Sequence, residues 1–419
     1  MPKGLTEDEE TPVAIDFTLP ADVTEVRDRI RMFLSQEVKP TEERLRAAND
    51  LRAWRPALQE LREKAKAAGV WAPHMPREWG GMGLGPLAMA FVSAECGRSQ
   101  FGAYILNCHA PDEGNMHTLL HYGTPEQKQK YLRPLVDGEC RSCFAMTEPE
   151  VAGSDPTGIQ TAATKKGDKW VIDGHKWFIS GAHGARFAIV IAKTDPDAQP
   201  PQARNTAFIV ETDNPGWKIV RDIETMAGRG NHCEIRIENC VVPDSSILGG
   251  RGQGHRLGQT RLGPARLAHC MRWIGNAELA LEEMTKRALS RKLHGGVLAD
   301  KQGIQWKLSD SALELYQAKL MTIHAAYLIE NGLPFRQEVS MTKYHVANTL
   351  WRIIDRAIQV HGALGYSTDS QLENMMRHAR SARLVDGADE VHLSQIAQNV
   401  IDAFRTDGST RMATGAGLL

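Results

Sequence analysis

Trp170-Val-Ile-Asp-Gly-His-Lys-Trp-Phe-Ile-Ser180 is the segment from which the fold of this chain can be predicted. Aromatic and β-branched residues stand on both sides of Asp173-Gly174, and an Asp-Gly pair in that setting is typical of a two-residue hairpin turn. Three further strand candidates follow: ARFAIVIAK (185–193), NTAFIVE (205–211) and CEIRIENCVV (233–242). In the last of these, Ile235 and Ile237 alternate with polar residues. We therefore expect residues 144–258 to form a β domain.

Both flanks of this region have the composition of helices. Upstream, VTEVRDRIRMFLSQEV (23–38) and WRPALQELREKAKAAG (54–69) are rich in helix-forming residues. Downstream, apolar residues recur at steps of three or four, as on one face of a helix. They are Leu313, Tyr316, Leu320, Ile323 and Tyr327, then Tyr344, Ala347, Trp351, Ile354 and Ile358. The sequence thus predicts an α+β multidomain protein, with an all-helical domain over residues 1–143, disordered in its first dozen residues, and a helical bundle over 259–419.

Length and charge exclude several classes of protein. A chain of 419 residues is too long for one apolar core, so more than one domain is expected. The formal net charge of -1 gives no positive excess that would bind a nucleic acid or an anionic membrane. No run of about 18 apolar residues is present and the acidic start does not resemble a leader, so membrane insertion is not expected.

Cysteine usage and glycine-rich segments give no cofactor motif of their own. The seven cysteines are scattered, which suits reduced thiols in the cytoplasm, and the pair Cys140 and Cys143 lacks the second pair that a metal site would need. Helices, strands and helices follow in blocks, whereas a Rossmann fold alternates strand and helix. GGRGQG (249–254) is therefore interpreted as an interdomain loop and not as a phosphate cradle.

Several segments together resemble the acyl-CoA dehydrogenase family, in the family's order. They are HYGTPEQKQKYLRPL (121–135), MTEPEVAGSD (146–155) with KWFIS (176–180), the segment from Arg291 to Gln302, and QVHGALGY (359–366) leading to VDGADEVH (385–392). The resemblance implies a central β-barrel-like domain, a C-terminal four-helix bundle and FAD between them. It also implies oxidation of an acyl-CoA, an electron-transfer flavoprotein as the acceptor, and a homodimer or homotetramer.

By this resemblance, two groups of residues bind FAD. A flavin ring needs an apolar slot and a few hydrogen-bond donors. The first group surrounds the ring, with Thr147 and Ser180 as hydrogen-bonding residues: Met146, Thr147, Phe178, Ile179 and Ser180. The second group contacts the adenosine half from a neighbouring subunit: Arg291, Gln302, Gln359, Gly362 and Gly365. Without the resemblance, the first group would be ordinary strand packing and Arg291 a solvated helix cation.

The resemblance also assigns the base and the acyl-CoA contacts. Removal of a proton next to a thioester needs a carboxylate in an apolar, water-poor cleft, which raises its pKa. The family's base position is Asp386 here, because its alternative position in the sequence is Ala265. We expect the backbone at Asp386 and Gly387 to contact the thioester carbonyl. Ser154 is expected near the pantetheine and Arg266 near the nucleotide end. In isolation, Asp-Gly would be interpreted as a turn.

The base motif, with LGPARLAHCMR (262–272), resembles one branch of the family in which the base is aspartate. Some members of that branch are fused to a kinase-like domain and act on 4-hydroxyacyl-CoA. Two alternatives stay open. One is an enzyme similar to nitroalkane oxidase, which also uses aspartate but needs no contacts with CoA. The other is a flavin-bearing DNA-binding relative with little turnover, against which the lack of positive charge argues.

Overall fold

The N-terminal part of the chain is helical. The computed structural model describes residues 18–48, 51–228 and 232–415, so the disorder expected for the first dozen residues lies outside the described residues. The helices are α1 (Ala21–Phe33), α2 (Lys39–Ala48), α3 (Leu51–Ala67), α4 (Pro86–Gly97), α5 (Gly102–Ile105), α6 (Asp112–Tyr122), α7 (Pro125–Gln127) and α8 (Arg133–Val136). Two π-helical turns, Leu34–Val38 and Lys128–Leu132, connect α1 to α2 and α7 to α8.

A mixed β sheet follows the helices. Its strands are β1 (Arg141–Ala145), β2 (Ala162–Lys166), β3 (Lys169–Ser180), β4 (Ala185–Lys193), β5 (Asn205–Glu211), β6 (Trp217–Asp222), β7 (His232–Pro243) and β8 (Ile247–Leu248). The order across the sheet is β6-β7-β3-β2-β4-β5-β8, and β1 pairs in parallel with β4. The three strands predicted after the opening segment are confirmed, two of them with the same ends.

Strand β4 runs through the centre of the sheet and is buried on both faces. Phe187 and Ile189 pack into the core that the sheet shares with the N-terminal helices. Ala188 and Val190 belong to a second core on the other face of the sheet. Burial on both faces requires a continuous apolar run, which is why this strand was easy to predict from the sequence.

The hairpin turn predicted at Asp173-Gly174 is wrong. Strand β3 continues through both residues, and its register with β7 shifts between Ile172 and Gly174, which is a β-bulge. A Cβ on Gly174 would lie 2.2 Å from Oγ1 of Thr161, so the glycine permits the close approach of two segments of the chain. The Asp173 carboxylate accepts a hydrogen bond from the backbone N–H of Asn239 at 2.7 Å. The turn lies instead between β2 and β3.

The C-terminal part is a helical bundle preceded by a small hairpin. After α9 (Gly254–Ser290) come β9 (Lys292–Leu293), β10 (Gly296–Val297), α10 (Gln302–Glu330), α11 (Arg336–His361), α12 (Ala363–Tyr366), α13 (Gln371–Ser381) and α14 (Asp389–Asp407). A third apolar core joins α9, α10, α11 and α13. Over the ranges that the structure describes, no helix has the length and apolar character needed to cross a bilayer.

The two apolar stripes predicted on the bundle helices differ in their surroundings. On α11, Ala347 and Ile354 are fully buried in the bundle core. On α10, Leu313 and Tyr316 are 62% and 64% exposed, and the side that packs inward carries smaller residues such as Ala318. The apolar face of α10 is therefore on the surface of the described chain.

Candidate functional site

Asp386 and Gly387 form a left-handed turn between α13 and α14, with φ values of 53° and 106°. A Cβ on Gly387 would lie 2.9 Å from Nε2 of His392, so glycine is required there on both counts. Two cations from other helices hold the carbonyls of the turn. Arg266 of α9 donates to the Asp386 carbonyl at 2.7 Å, and Lys343 of α11 donates to the Gly387 carbonyl at 2.6 Å. Long-range contacts therefore fix this turn.

The Asp386 carboxylate lies among positive charges. Its side chain is 23% exposed, and its Oδ2 atom lies 3.3 Å from Nε2 of His269. Burial by itself would raise the pKa of Asp386, but the hydrogen bond from His269 and the charges of Arg261 and Arg266 together hold that pKa well below its usual range. The expectation of an apolar cleft that raises the pKa is wrong, because the neighbours that α9 supplies are cations. Asp386 is ionised at neutral pH.

Arg266, which the resemblance places near the nucleotide end of the substrate, lies beside the base turn in this structure. Its guanidinium is engaged with the base turn through the Asp386 carbonyl. Arg261, one turn earlier, donates to Asn115 at 3.0 Å and lies over the ring of Phe144 at 4.3 Å. These arginines thus connect the base to the bundle and to both other domains, and the resemblance gave no indication of Arg261.

A cavity of about 310 Å³ lies beside Arg261, between α6, α9 and the segment before α4. Ala265, the alternative base position, is part of its wall, as is Glu113, a carboxylate that sequence reasoning missed. Glu113 forms a buried ion pair with Arg272 at 2.8 Å. Burial would raise the pKa of Glu113, but the charge of Arg272 lowers it below the ordinary value. Glu113 is already paired, so Asp386 is the better candidate for a base.

The same cavity has a polar end formed by histidines. His74 is 6% exposed, and neither of its ring nitrogens has a hydrogen-bond partner within the described chain. Its ring lies 5.0 Å from that of His117, centroid to centroid. Burial and the charge of His117 lower the pKa of His74 to about 3, so its ring is neutral. A neutral imidazole offers one donor and one acceptor to a molecule in the cavity.

Four of the five residues predicted for the flavin ring have side chains that are at least partly exposed, near the C-terminal end of β3. The backbone N–H of Trp177 donates to the carbonyl of Thr147 at 3.0 Å, which brings the end of β3 to the Met146 segment. Phe178 has a φ of 52°, and its side chain is 44% exposed. The hydroxyl of Ser180 pairs with Nδ1 of His232 at 2.9 Å. Ile179 is the exception.

The side chain of Ile179 is 1% exposed and belongs to the core of the sheet, so it can offer a ligand only its backbone. The turn that contains Ser154, the residue predicted near the pantetheine, is exposed. The local sequence does not show that Ile179 is buried and Ser154 exposed, because burial depends on which face of the sheet or turn meets the solvent.

A buried ion pair lies beneath the Met146 segment, and sequence reasoning missed it. Nζ of Lys176 donates to the Glu148 carboxylate at 2.8 Å, the Met146 carbonyl at 2.9 Å and the Ile191 carbonyl at 2.8 Å. The side chains of Lys176 and Glu148 are 0% and 2% exposed. Burial lowers the pKa of Lys176 to about 8, although the charge of Glu148 opposes this shift. The pair fixes the backbone on both sides of Thr147.

The second predicted group lies on the surface of the bundle. Arg291 precedes the β9–β10 hairpin, Gln302 begins α10, and Gln359 lies in the last turn of α11; all three are exposed. Gly362 has a φ of 66°, and a Cβ on Gly365 would lie 2.7 Å from the Ile358 carbonyl. No hydrogen bond within the described ranges joins this group to the residues at the end of β3, so the two groups are not directly linked there.

Comparison with known proteins gives one consistent result. Family models for the N-terminal, middle and C-terminal domains of acyl-CoA dehydrogenase match residues 20–139, 143–240 and 252–401. Acyl-CoA dehydrogenase family member 11 of Gallus gallus is 38% identical over 389 residues, which are 89% of this chain and 50% of that relative. This chain thus spans about half the length of that relative.

Two shorter relatives match along nearly their whole length. FadE2 of Mycobacterium tuberculosis, named a probable acyl-CoA dehydrogenase, is 39% identical over 92% of this chain and 96% of its own. A solved structure from Mycobacterium abscessus is 36% identical, with a TM-score of 0.88, and the match covers 93% of this chain and 100% of that one.

Proposed function

The chain belongs to the acyl-CoA dehydrogenase family, and from this premise we propose that it is an FAD-dependent enzyme that oxidises an acyl-CoA at the α and β carbons, with Asp386 as the base. One observation carries the proposal. An ionised, part-buried carboxylate, on a turn held from two helices, is stabilised by the charge of Arg261, which also lines the cavity.

The residues present fit FAD. Phe178 offers an exposed aromatic face, and the hydroxyls of Thr147 and Ser180 lie near it; these side chains would hold the flavin ring. Arg291 is exposed and can donate two parallel hydrogen bonds to a pyrophosphate, and the Gly362 turn allows a close backbone approach. When bound, FAD supplies the hydride acceptor, a chemistry that no amino-acid side chain offers.

The chain's own residues perform the proton transfer. The Asp386 carboxylate takes the α-proton of the thioester, because it is ionised and its turn is fixed by Arg266 and Lys343. The backbone N–H of Asp386 makes no hydrogen bond to any described part of the chain and so can donate to the thioester carbonyl. Such a donor stabilises the negative charge that develops on the oxygen.

The cavity supports a substrate with a polar group on its acyl chain. A purely alkyl chain would leave both ring nitrogens of His74 without partners, and a buried unpaired polar group costs about 1–3 kcal/mol. A hydroxyl near His74 and His117 could satisfy one of them. A 4-hydroxyacyl-CoA, the substrate type of the branch with an aspartate base, is the substrate that we propose.

The partners that we propose follow from the same site. The second group of FAD residues lies on the surface of one protomer, so a second copy of the chain would complete the cofactor site. The exposed apolar face of α10, which includes Leu313 and Tyr316, is available for such a contact. We expect a homodimer or homotetramer and an electron-transfer flavoprotein as the electron acceptor.

Anaerobic titration of the purified protein with acyl-CoAs tests the proposal. Bleaching of the flavin absorbance by a thioester supports it, and faster bleaching by a 4-hydroxyacyl-CoA than by the unsubstituted chain supports the substrate class. Bleaching by a nitroalkane alone would favour an enzyme similar to nitroalkane oxidase. Salt-sensitive binding to duplex DNA without thioester oxidation would favour the DNA-binding alternative.

A further inference from the structure

His269 has both of its ring nitrogens engaged, on opposite sides. Nε2 lies 3.3 Å from Oδ2 of Asp386, and Nδ1 lies 3.5 Å from Nη2 of Arg272. The ring also stacks on Trp273, with the centroids 5.3 Å apart. An arginine can only donate hydrogen bonds, so Nδ1 is the acceptor. In this arrangement the ring proton on Nε2 points at the carboxylate.

Arg272 is itself held in place, which fixes this arrangement. Its Nη1 atom donates to the Glu113 carboxylate at 2.8 Å and to the Cys108 carbonyl at 3.1 Å. The side chains of Arg272 and Glu113 are only 12% and 9% exposed. Glu113 lines the cavity, so a continuous chain of contacts leads from the cavity wall through Arg272 and His269 to the base.

We propose that His269 is a positioning residue that holds one oxygen of Asp386 so that the other oxygen takes the α-proton. The inference rests on the proposed function. Nε2–H donates to Oδ2, which leaves Oδ1 for the substrate. As the Cα–H bond breaks, its proton goes to Oδ1 and its electron pair forms the new double bond; a bound flavin would supply the acceptor for the β-hydrogen, which leaves with its electron pair. His269 keeps its own proton throughout.

The other charged or titratable groups around Asp386 do not orient its carboxylate in this way. They come from three helices: Arg261 and Arg266 from α9, Lys343 from α11 and His392 from α14. Arg266 and Lys343 donate to backbone carbonyls. Arg261 donates to Asn115 and Pro111. Among the described side chains, His269 is thus the one that the structure places against a carboxylate oxygen of the base, with Nε2 3.3 Å from Oδ2.

The test compares two substitutions that differ in one donor. His269→Phe keeps the aromatic stack but removes the N–H, whereas His269→Gln keeps an N–H donor at similar reach. His378→Phe, on the exposed side of α13, is the control. Infrared difference spectra between each protein and the same protein with Asp386→Asn follow the ionisation of this carboxylate with pH, in the absence of substrate.

In His269→Phe, we expect half-protonation of the Asp386 carboxylate at about one tenth of the proton concentration that the wild type needs, that is, at higher pH. The reason is the loss of a hydrogen bond to the charged form. His269→Gln and His378→Phe should titrate close to the wild type. Flavin reduction by the best acyl-CoA should be about 10- to 100-fold slower in His269→Phe with little change in KM, and His269→Gln should recover part of that loss.

Each outcome decides between the inference and the function on which it rests. An unchanged titration in His269→Phe overturns the inference, whatever the reduction rates are. If the titration of Asp386 is shifted in His269→Phe but no acyl-CoA reduces the flavin of the wild type, the Asp386–His269 contact is supported and the proposed function is overturned. If His269→Phe does not fold, nitrogen-15 NMR of the wild type and of Asp386→Asn decides, because an Nδ1–H tautomer at His269 would contradict the proposed hydrogen bond.

Discussion

The buried ion pair beneath the flavin segment gives the sharpest prediction of stability. Lys176→Met removes three donated hydrogen bonds and leaves the Glu148 carboxylate buried without its cation. Breaking one side of a fully buried pair costs about 3–5 kcal/mol of the free energy of unfolding. Two backbone N–H groups, those of Gln160 and Thr161, still donate to Glu148, so we expect the lower half of this range.

Urea denaturation at pH 7 measures the loss, and Lys218→Met is the matched control. Lys218 pairs with Glu238 in the same domain, but both side chains are more than half exposed, so its removal should cost less than about 1 kcal/mol. Adding Glu148→Gln to Lys176→Met removes the unpaired charge and should recover part of the loss. A Lys176→Met protein no less stable than Lys218→Met would refute the reasoning.

The same pair predicts how stability depends on pH. The pKa of Lys176 is lowered to about 8 in the folded chain and returns to its ordinary value of 10.5 on unfolding. Between these values the unfolded state binds more protons, so the free energy of unfolding contributed by Lys176 rises with pH, by at most about 1.4 kcal/mol per pH unit. Subtracting the profile of Lys176→Met from that of the wild type should isolate this rise, and a fall would contradict it.

Three further predictions concern the proposed activity. Asp386→Asn should retain FAD and bind acyl-CoA but reduce the flavin on the order of 10²- to 10⁴-fold more slowly in stopped flow, whereas the exposed Glu390→Gln should have little effect. Near-normal reduction in Asp386→Asn would show that another group takes the proton. Arg291→Ala should release FAD faster on gel filtration; equal retention would place the adenosine half elsewhere. Tyr316→Glu, on the exposed face of α10, should give a smaller species in sedimentation without loss of helix content, and an unchanged size would exclude this face as the interface.

The parts of the fold that could be predicted are those whose signal is local. Strand β4 was predicted with its correct ends because both of its faces are buried and its sequence is apolar throughout. The turn at Asp173-Gly174 could not be distinguished from a bulge, because that choice depends on Thr161, just before β2, and on Asn239 of β7. A two-residue pattern carries no information about partners that approach from elsewhere in the chain.

In the candidate site, too, only the features with a local sequence signal could be predicted. Asp386 and Gly387 lie in one short motif and could be proposed from it. The neighbours that lower the pKa of the base, His269 and Arg261, are more than a hundred residues earlier in the sequence, so the motif did not indicate them and the expected rise in that pKa was wrong. Glu113 had no motif at all, because its place in the cavity wall arises only when α6 packs against α9.

The low pKa of Asp386 limits how proton removal can be driven in the proposed reaction. A carboxylate stabilised by His269 and two guanidinium groups is a weak base, so the driving force must come largely from making the α-proton more acidic. The same positive charges can do this, because they also stabilise the negative charge that develops on the thioester oxygen next to Asp386. Arg261 both lines the cavity and lowers the pKa of the base. The same side chains on α9 therefore make Asp386 a weak base and stabilise the enolate that develops when the α-proton leaves.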